Sequence, residues 1–153
     1  MKTIEGDINA ERLKFAVIQS KFNNFITDRL LNGALECLRR HNAAEDNIDI
    51  YKVPGAFEIP VLAEKLAESK KYNAIICLGA IIRGGTPHFE YVSLSSSLGI
   101  LNASIKNLTP IAFGVLTTDN LEQAIERSGS ESGNKGYDAA LTAIEMAELF
   151  SRL

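Results

Sequence analysis

The sequence predicts a single α/β domain in which helices cover both faces of a parallel sheet. Short apolar segments rich in Val, Ile and Phe alternate with longer segments of helical periodicity. Two of the apolar segments are almost continuously hydrophobic, as parallel strands buried on both faces tend to be. The chain has 153 residues, of which 46% are hydrophobic and 23% are charged, and this favours one continuous core.

Four apolar segments are predicted to be strands. Right-handed connections between them, each through a helix, predict a flavodoxin-like three-layer α/β/α sandwich with a four-stranded parallel sheet. We assign residues 1–153 to this one domain, with residues 1–11 as an N-terminal extension. The predicted strands read KFAVIQS from Lys14, NIDIYKV from Asn47, AIICLGA from Ala74 and PIAFGVLT from Pro110.

Five helices are predicted around these strands. The third of them contains SLSSSLGILNAS, whose small side chains permit close helix packing either within the chain or against neighbouring subunits. Before the first strand, TIEGDI has a β-like alternation that indicates a disordered tail or a strand added to a neighbouring subunit's sheet. The predicted helices run over about 24–40, 57–69, 87–106, 120–128 and 137–153.

Composition argues against several classes of partner. A formal charge of −3, with no basic stripe, gives no support for nucleic-acid binding. No apolar run approaches the roughly 20 residues that span a bilayer, and the first residues lack a signal-peptide core, so we expect a cytoplasmic protein without a membrane partner. Cys37 and Cys77 lie in apolar segments and are predicted to be core thiols. The cysteines and histidines have no metal-ligand spacing, which predicts no metal site.

Ligands of open parallel sheets bind beyond the carboxyl ends of the strands, so the segments that follow the strands were compared. Phe22 and Phe57 each follow a strand, and each could pack as a hydrophobic staple at a helix start. As a pair they favour a pocket for a flat ring. Glu58 either complements a helix dipole or accepts hydrogen bonds from ligand hydroxyl groups. The four segments read KFNN, PGAFEIP, IRGGTPHFEY and TTDN.

The third of these segments combines features of an anion site. Gly84 and Gly85 are predicted to turn the chain and leave backbone N–H groups without partners just before a helix that starts near Pro87. His88 falls in the first helical turn, where the helix dipole disfavours a cation and a neutral imidazole could transfer protons. Taken alone, a histidine in this position is more often a surface residue, like His41 at the end of the first helix.

Two further cations, near the end of the chain, can likewise be interpreted as surface residues or as part of an anion site. Arg127 and Lys135 flank the glycine-rich segment SGSESGN. They are either surface charges or residues that this segment places beside a phosphate, where each charge-assisted hydrogen bond would contribute roughly 1.5–3 kcal/mol.

Four segments in order resemble 6,7-dimethyl-8-ribityllumazine synthase, also known as the riboflavin synthase beta chain. They are PGAFEIP, GAIIRGGTPHFEYV, FGVLTTDNLEQAIERSG and GNKGYDAALTAIEMA, and the resemblance covers about Arg12 to Leu149. It implies a transferase without a cofactor. The implied substrates are 5-amino-6-ribitylamino-2,4(1H,3H)-pyrimidinedione and 3,4-dihydroxy-2-butanone 4-phosphate.

The resemblance also implies a role for each matching residue. Those for the pyrimidine substrate are Phe22, stacked on the ring, with Asn23 nearby; Ala56, Phe57 and Glu58, on the ribityl chain; and the backbone of Ala80, Ile81 and Ile82, on the ring's polar edge. Those for the phosphate substrate are Gly85 and Thr86, which bind phosphate with Arg127, and His88, which moves protons. In the family the site lies between adjacent subunits of a pentamer, so the neighbour is expected to supply Phe113, Arg127 and Lys135.

The linker before the last helix carries no insertion. In the family a short linker accompanies an icosahedral shell of about 60 subunits, able to enclose riboflavin synthase, and we expect that assembly here. Two residues depart from the family's pattern. Gly85 stands where Ala, Asp or Glu is usual, and Glu131 stands where many members have Lys, so the Glu131 side chain is expected to point away from the phosphate.

Two other function classes compete with an enzyme. A flavin or lumazine carrier would keep the pocket without turnover, and a structural shell protein would need only the assembly. The presence of both His88 and Arg127 favours the enzyme, because binding of a ring requires neither.

Overall fold

The computed structural model describes residues 1–129 and 133–153. Within this part of the chain, four parallel strands form one sheet in the order β2-β1-β3-β4. This is the strand order of flavodoxin-like sheets, and it confirms the predicted fold class. The strands are β1 Phe15–Ser20, β2 Ile48–Val53, β3 Ala74–Ile82 and β4 Ile111–Thr118.

Helices cover both faces of the sheet and complete the three layers. The first face is covered by α1, α4 and α5, whose apolar residues form one core cluster with side chains of β1 and β3. The other face is covered by α2 and α3, which form a second cluster. The helices are α1 Asn24–Arg40, α2 Ile59–Glu68, α3 His88–Asn107, α4 Leu121–Arg127 and α5 Lys135–Ser151, with short 3-10 turns at Glu45–Asn47 and Ala56–Glu58.

Burial follows position in the sheet. All six residues of β1 are buried, because this strand is paired on both sides and covered on both faces. In β4 the side chains of Phe113 and Thr117 are exposed, because β4 is an edge strand. An exposed phenylalanine on an edge strand leaves an apolar surface that a binding partner or ligand could cover.

The last helix begins two residues earlier than predicted, because Asn134 caps it. Its Oδ1 accepts hydrogen bonds from the N–H groups of Gly136 at 2.9 Å and Tyr137 at 3.0 Å. Gly136, which the sequence placed in a linker, lies where α5 meets α1. A Cβ there would be 2.0 Å from the carbonyl oxygen of Leu30, so glycine is what allows the two helices to approach.

The N-terminal segment lies against its own chain. Gly6 is so close to α5 that a Cβ would be 2.0 Å from the carbonyl oxygen of Glu145, and Asp7 pairs with Arg152 at 2.6 Å. Ala10 is buried and donates its N–H to the carbonyl of His41 at 2.7 Å. The segment forms no strand within this chain. Its addition to a neighbouring subunit's sheet stays a prediction.

Cys37 and Cys77 are both fully buried in the core clusters, as predicted. Burial raises the pKa of the Cys77 thiol, so it stays protonated and packs as a small apolar side chain. Across residues 1–129 and 133–153, none of the helices combines the length and apolar character that a bilayer crossing requires.

A buried tyrosine connects β2 to the loop before β3. The Tyr72 hydroxyl donates to Asp49 at 2.5 Å and lies 2.5 Å from the hydroxyl of Tyr51, while Lys71 pairs with Asp49 at 3.0 Å. Burial and the hydrogen bond to Asp49 raise the pKa of Tyr72. The bonds from Tyr72 and Lys71 lower the pKa of Asp49. At neutral pH the network therefore favours the neutral hydroxyl of Tyr72 and the ionised carboxylate of Asp49 in the folded protein.

Replacing Tyr72 with Phe should flatten the pH dependence of stability at both ends. Because the pKa of Tyr72 is raised, its neutral hydroxyl stabilises the fold below pH 10.0, the ordinary tyrosine pKa. This contribution is lost as the pH rises above that value. Because the pKa of Asp49 is lowered, its ionised carboxylate stabilises the fold above pH 3.8, the ordinary aspartate pKa. This contribution is lost as the pH falls below that value. Urea unfolding across the pH range measures both limbs, with the exposed Tyr91→Phe as control. Parallel profiles for the native and Tyr72→Phe chains would contradict the network.

Candidate active site

Asn23 fixes the turn between β1 and α1. Its backbone is left-handed, with φ 58° and ψ 43°, a conformation that asparagine tolerates better than most residues. Its side chain does not cap the helix; Nδ2 instead donates to the carbonyl of Ala80 at 2.8 Å. The turn of α1 is thereby tied to the end of β3, and Phe22 projects outward with 71% of its surface exposed.

The loop after β2 runs beside this turn. Phe22 donates its N–H to the carbonyl of Pro54 at 3.0 Å, which continues the pairing of β1 with β2 beyond both strands. The 3-10 turn Ala56–Glu58 follows, and the N–H groups that begin such a turn lack partners inside it. The Glu58 carboxylate folds back toward Gly55, where a Cβ would lie 3.1 Å from its Oε2. Hydrogen-bond donors and an acceptor are thus close together in this loop.

Phe22 and Phe57 are not buried as hydrophobic staples. Phe57 is 62% exposed, and both rings line the same cavity. Staple packing would have covered them against their helices. Their exposure favours the flat-ring pocket that the sequence indicated for the pair.

The end of β3 extends past β1 and leaves backbone groups uncovered. The β1–β3 register ends at Gln19 with Leu78, whereas β3 continues to Ile82 against β4. Odd-numbered residues direct their backbone groups to the β4 side, since Arg83 donates its N–H to Thr118 at 2.8 Å. The even-numbered Ala80 and Ile82 therefore direct theirs to the cavity side, where Ala80 meets Asn23.

The glycines after β3 are not required by the turn itself, contrary to the sequence interpretation. Neither Gly84 nor Gly85 has a positive φ, and a Cβ at either position would meet no atom within 4 Å. What glycine provides there is an uncovered backbone. Pro87 is the N-cap residue rather than part of the first turn, and His88 is the first residue of α3, exposed to solvent.

Arg83 is held by residues of α3 and by the residue that follows β4. Its guanidinium lies 4.3 Å from the ring centre of Phe89, and it pairs with Asp119 at 3.0 Å and with Glu90. The hydrogen bonds to Asp119 and Glu90 raise the pKa of Arg83, and the bond from Arg83 lowers the pKa of Glu90. These contacts connect the end of β4 to the start of α3. They leave Arg83 a poor candidate for binding an anion.

One cavity of about 730 Å³ collects most of the predicted residues. Its volume lies in the range of small-molecule sites. The predicted residues that line it are Phe22, Asn23, Ala56, Phe57, Glu58, Ala80, Ile81, Ile82, Thr86 and His88. Gly85 lies exposed between the lining residues Gly84 and Thr86. We call this the ring cavity.

A second cavity of about 330 Å³ runs along the open edge of β4 and holds the other three predicted residues, Phe113, Arg127 and Lys135. We call this the edge cavity. Arg127 makes a long hydrogen bond of 3.5 Å to the carbonyl of Gln123, and Lys135 pairs with Asp138 at 3.1 Å. Both cations are exposed. In the part of the chain that the structure describes, Arg127 has this one hydrogen bond, whereas Arg83 has two ion pairs and a contact with an aromatic ring.

Among the described residues of one chain, the two sets of predicted residues line separate cavities. The ring cavity holds the predicted aromatic, ribityl and proton-transfer residues, whereas the edge cavity holds the predicted cations and Phe113. Glu131 lies outside the described residues. Across the described ranges, no three His, Cys, Asp or Glu side chains gather as metal ligands.

Sequence reasoning missed several residues that line the ring cavity. Tyr91 and Val92 follow His88 at the i+3 and i+4 positions of α3, so all three share a helix face. Helical periodicity counted from His88 would have identified them. Pro54 and Phe89 also line the cavity, and no comparable periodicity points to either.

Similarity to known proteins shows the family of this chain. Residues 12–151 match the family model described as 6,7-dimethyl-8-ribityllumazine synthase. Two relatives with that name, from two strains of Clostridium kluyveri, are each 60% identical over 153 residues. The match covers 100% of this chain and 99% of each relative.

Substituting Asn23 should separate its two roles. Asn23→Ala loses the bond to Ala80 and puts in the left-handed turn a residue that tolerates this conformation less well than asparagine, so we expect about 2 kcal/mol less stability. Asn23→Gly loses the bond alone and should recover about 1 kcal/mol of that deficit. Urea unfolding of both variants measures the difference. Equal stability of the Ala and Gly variants would contradict the left-handed turn.

Proposed function

The chain belongs to the 6,7-dimethyl-8-ribityllumazine synthase family, and we propose from this membership and its two cavities how it carries out the family's reaction. It condenses 5-amino-6-ribitylamino-2,4(1H,3H)-pyrimidinedione with 3,4-dihydroxy-2-butanone 4-phosphate. The products are 6,7-dimethyl-8-ribityllumazine, phosphate and two waters. This is the penultimate step of riboflavin biosynthesis.

The ring cavity is the proposed site of the pyrimidinedione. The observation that carries this assignment is the pairing of two exposed aromatic rings with the uncovered backbone of β3. Phe22 stacks on the ring, and the backbone groups of Ala80 and Ile82 bond to its polar edge. The turn Ala56–Glu58 receives the ribityl hydroxyl groups, because it offers both N–H donors and a carboxylate acceptor.

The phosphate of the second substrate is assigned to the loop before α3 together with Arg127. Gly85 and Thr86 present backbone N–H groups at the start of a 20-residue helix, whose dipole favours an anion. Arg127 supplies the neutralising charge with a planar guanidinium, and Lys135 adds a second cation. The ion pairs of Arg83 support this choice, since Arg83 already neutralises Asp119 and Glu90.

The reaction proceeds by two dehydrations and one elimination. The ring amine attacks the ketone, water leaves to give an imine, and phosphate is then eliminated. The elimination leaves an enol that tautomerises to a new carbonyl group. The ribitylamino nitrogen attacks this carbonyl carbon and closes the ring with loss of another water. His88 lies at the ring cavity beside the loop assigned to phosphate, so it can take and return the protons of these steps. Holding the two substrates together supplies several kcal/mol of barrier reduction.

The active site is shared between adjacent subunits of a pentamer. The separation of the ring cavity from the edge cavity supports sharing, because an edge cavity placed against a neighbour's ring cavity would complete the residue set. Exposed apolar side chains on α3 support a helix–helix interface. They recur at alternating spacings of three and four residues, as in helices that pack against helices, and are Leu94, Leu98, Leu101 and Ile105.

Assembly of pentamers into an icosahedral shell of about 60 subunits is part of the same proposal, with the absence of a linker insertion as its support. Enclosure of riboflavin synthase would follow from such a shell. The cytoplasmic location expected from composition stays a prediction.

Turnover and two variants test the assignment. The purified chain mixed with both substrates should form a lumazine absorbance band faster than the uncatalysed background. His88→Ala should lower kcat by about ten- to a hundredfold with smaller changes in KM. Arg127→Ala should raise the KM of the butanone phosphate by about ten- to a hundredfold, the loss expected for one charge-assisted hydrogen bond.

The alternatives predict different results. A carrier would bind the lumazine without turnover. A rate of lumazine formation no higher than background, together with measurable lumazine affinity, would therefore identify a binding protein instead of an enzyme. A structural shell protein would keep all measured properties in both variants. If Arg127→Ala changed only the KM of the pyrimidinedione, the assignment of Arg127 to the phosphate would be wrong.

Complementation tests the shared site. Chains carrying His88→Ala and chains carrying Arg127→Ala, coexpressed, should regain activity at low butanone phosphate, because about a quarter of the shared sites in a randomly mixed ring are intact. A site within one chain would regain nothing. Light scattering should give at least about 84 kDa, the mass of five 16.7 kDa chains, or about 1 MDa for the shell. A mass of one chain would overturn the shared site.

A further inference from the structure

Asn134 is a buried side chain that bonds in two directions at once. It is 3% exposed, and its Oδ1 caps α5 by accepting from Gly136 and Tyr137. Its Nδ2 faces three carbonyl oxygens: those of Arg29 at 3.0 Å, Ser128 at 3.3 Å and Gly129 at 3.3 Å. A helix cap needs only the acceptor. The donor side of the amide therefore has a separate role.

The donor side joins the two chain segments that carry the cations. Ser128 directly follows Arg127, Lys135 directly follows Asn134, and Ser128 and Asn134 form an antiparallel bridge. Arg29 strengthens the junction, since its Nε donates to the carbonyl of Ser128 at 3.1 Å. The end of α4, the start of α5 and the middle of α1 thus converge on one carboxamide.

Helix α1 has a space that fits this carboxamide. A Cβ at Gly33 would lie 2.2 Å from Oδ1 of Asn134 and 2.4 Å from its Cγ, so any larger residue would displace the amide. Gly33 lies inside α1, where glycine lowers helix propensity. Its presence there is explained by the room that it leaves for Asn134.

We propose that Asn134 is a positioning residue that sets the spacing of Arg127 and Lys135 for the substrate phosphate. The inference rests on the proposed function, in which these two cations meet that phosphate. Among the other residues that cap helices well, Asp has no donor. Ser and Thr have a single O–H, which is one bond shorter than the amide and cannot replace the two N–H donors that Asn134 directs at the carbonyls of Arg29, Ser128 and Gly129. The amide therefore does what a cap alone would not require.

Asn134→Ser tests the inference because it keeps a good cap and removes the amide donor. We expect the KM of the butanone phosphate to rise about tenfold, with kcat and the KM of the pyrimidinedione changed by less than about twofold. Gly33→Ala should give the same pattern, although alanine raises helix propensity. The matched control is Asn73→Ala, which removes an asparagine bond to the N–H of Lys14 (2.7 Å) near the start of β3 and should change neither KM.

A second background separates positioning from general damage. If Asn134 acts through the two cations, its effect should largely disappear in a chain that already carries Arg127→Ala and Lys135→Ala. Adding Asn134→Ser to that chain should raise the KM of the butanone phosphate by less than about twofold. A full tenfold addition there, or an equal rise in both KM values, would overturn the inference. So would an unchanged phosphate KM in Asn134→Ser with native turnover otherwise intact, which would leave the proposed function standing. If Asn134→Ser fails to fold, the KM values of Gly33→Ala alone test the proposal. If neither variant folds, Asn134 is required for folding and the proposal is overturned.

Discussion

The parallel alignment of the strands is the constraint on which the rest of this structure depends. Parallel strands deliver each following loop to the same edge of the sheet, whatever the loops contain. The turn at Phe22, the turn Ala56–Glu58 and the loop at Gly84–Thr86 therefore line one cavity. The bond from Phe22 to Pro54 joins two of these loops, and the bond from Asn23 to Ala80 ties the first of them to β3. The helices supply the burial that holds this alignment.

The two arginines near the proposed site show how local partners decide a side chain's role. Arg83 follows β3, lies closest in sequence to the glycine loop, and is neutralised by Glu90 and Asp119 while it stacks on Phe89. Arg127 is forty-four residues further along and makes one long hydrogen bond to a carbonyl oxygen. An ion pair already formed must be broken before an anion can bind, so the distant arginine is the better anion ligand.

Strand positions, helix order and the gathering of strand-end residues could be predicted from sequence, because alternation of buried strands with amphipathic helices leaves few topologies. The bond from Asn134 to Arg29 and the inclusion of Gly136 in α5 could not, because both depend on how closely α1 approaches. Likewise, the left-handed turn at Asn23 follows from a bond to a strand 57 residues away. Long-range contacts of this kind leave no local pattern. The division of the predicted residues between two cavities also needed coordinates, although the resemblance had implied it.

The overhang of β3 beyond β1 has a consequence for inhibitors. A compound that bonds to the backbone groups of Ala80 and Ile82, which β1 does not pair, would contact atoms that every amino acid except proline carries in common. Substituting either side chain would leave those donors and acceptors in place, and proline at these positions would remove an N–H group that the strand presents. Resistance would then have to arise through the cavity's rings or its shape. Contacts with this stretch of main chain are therefore a durable starting point for ligand design.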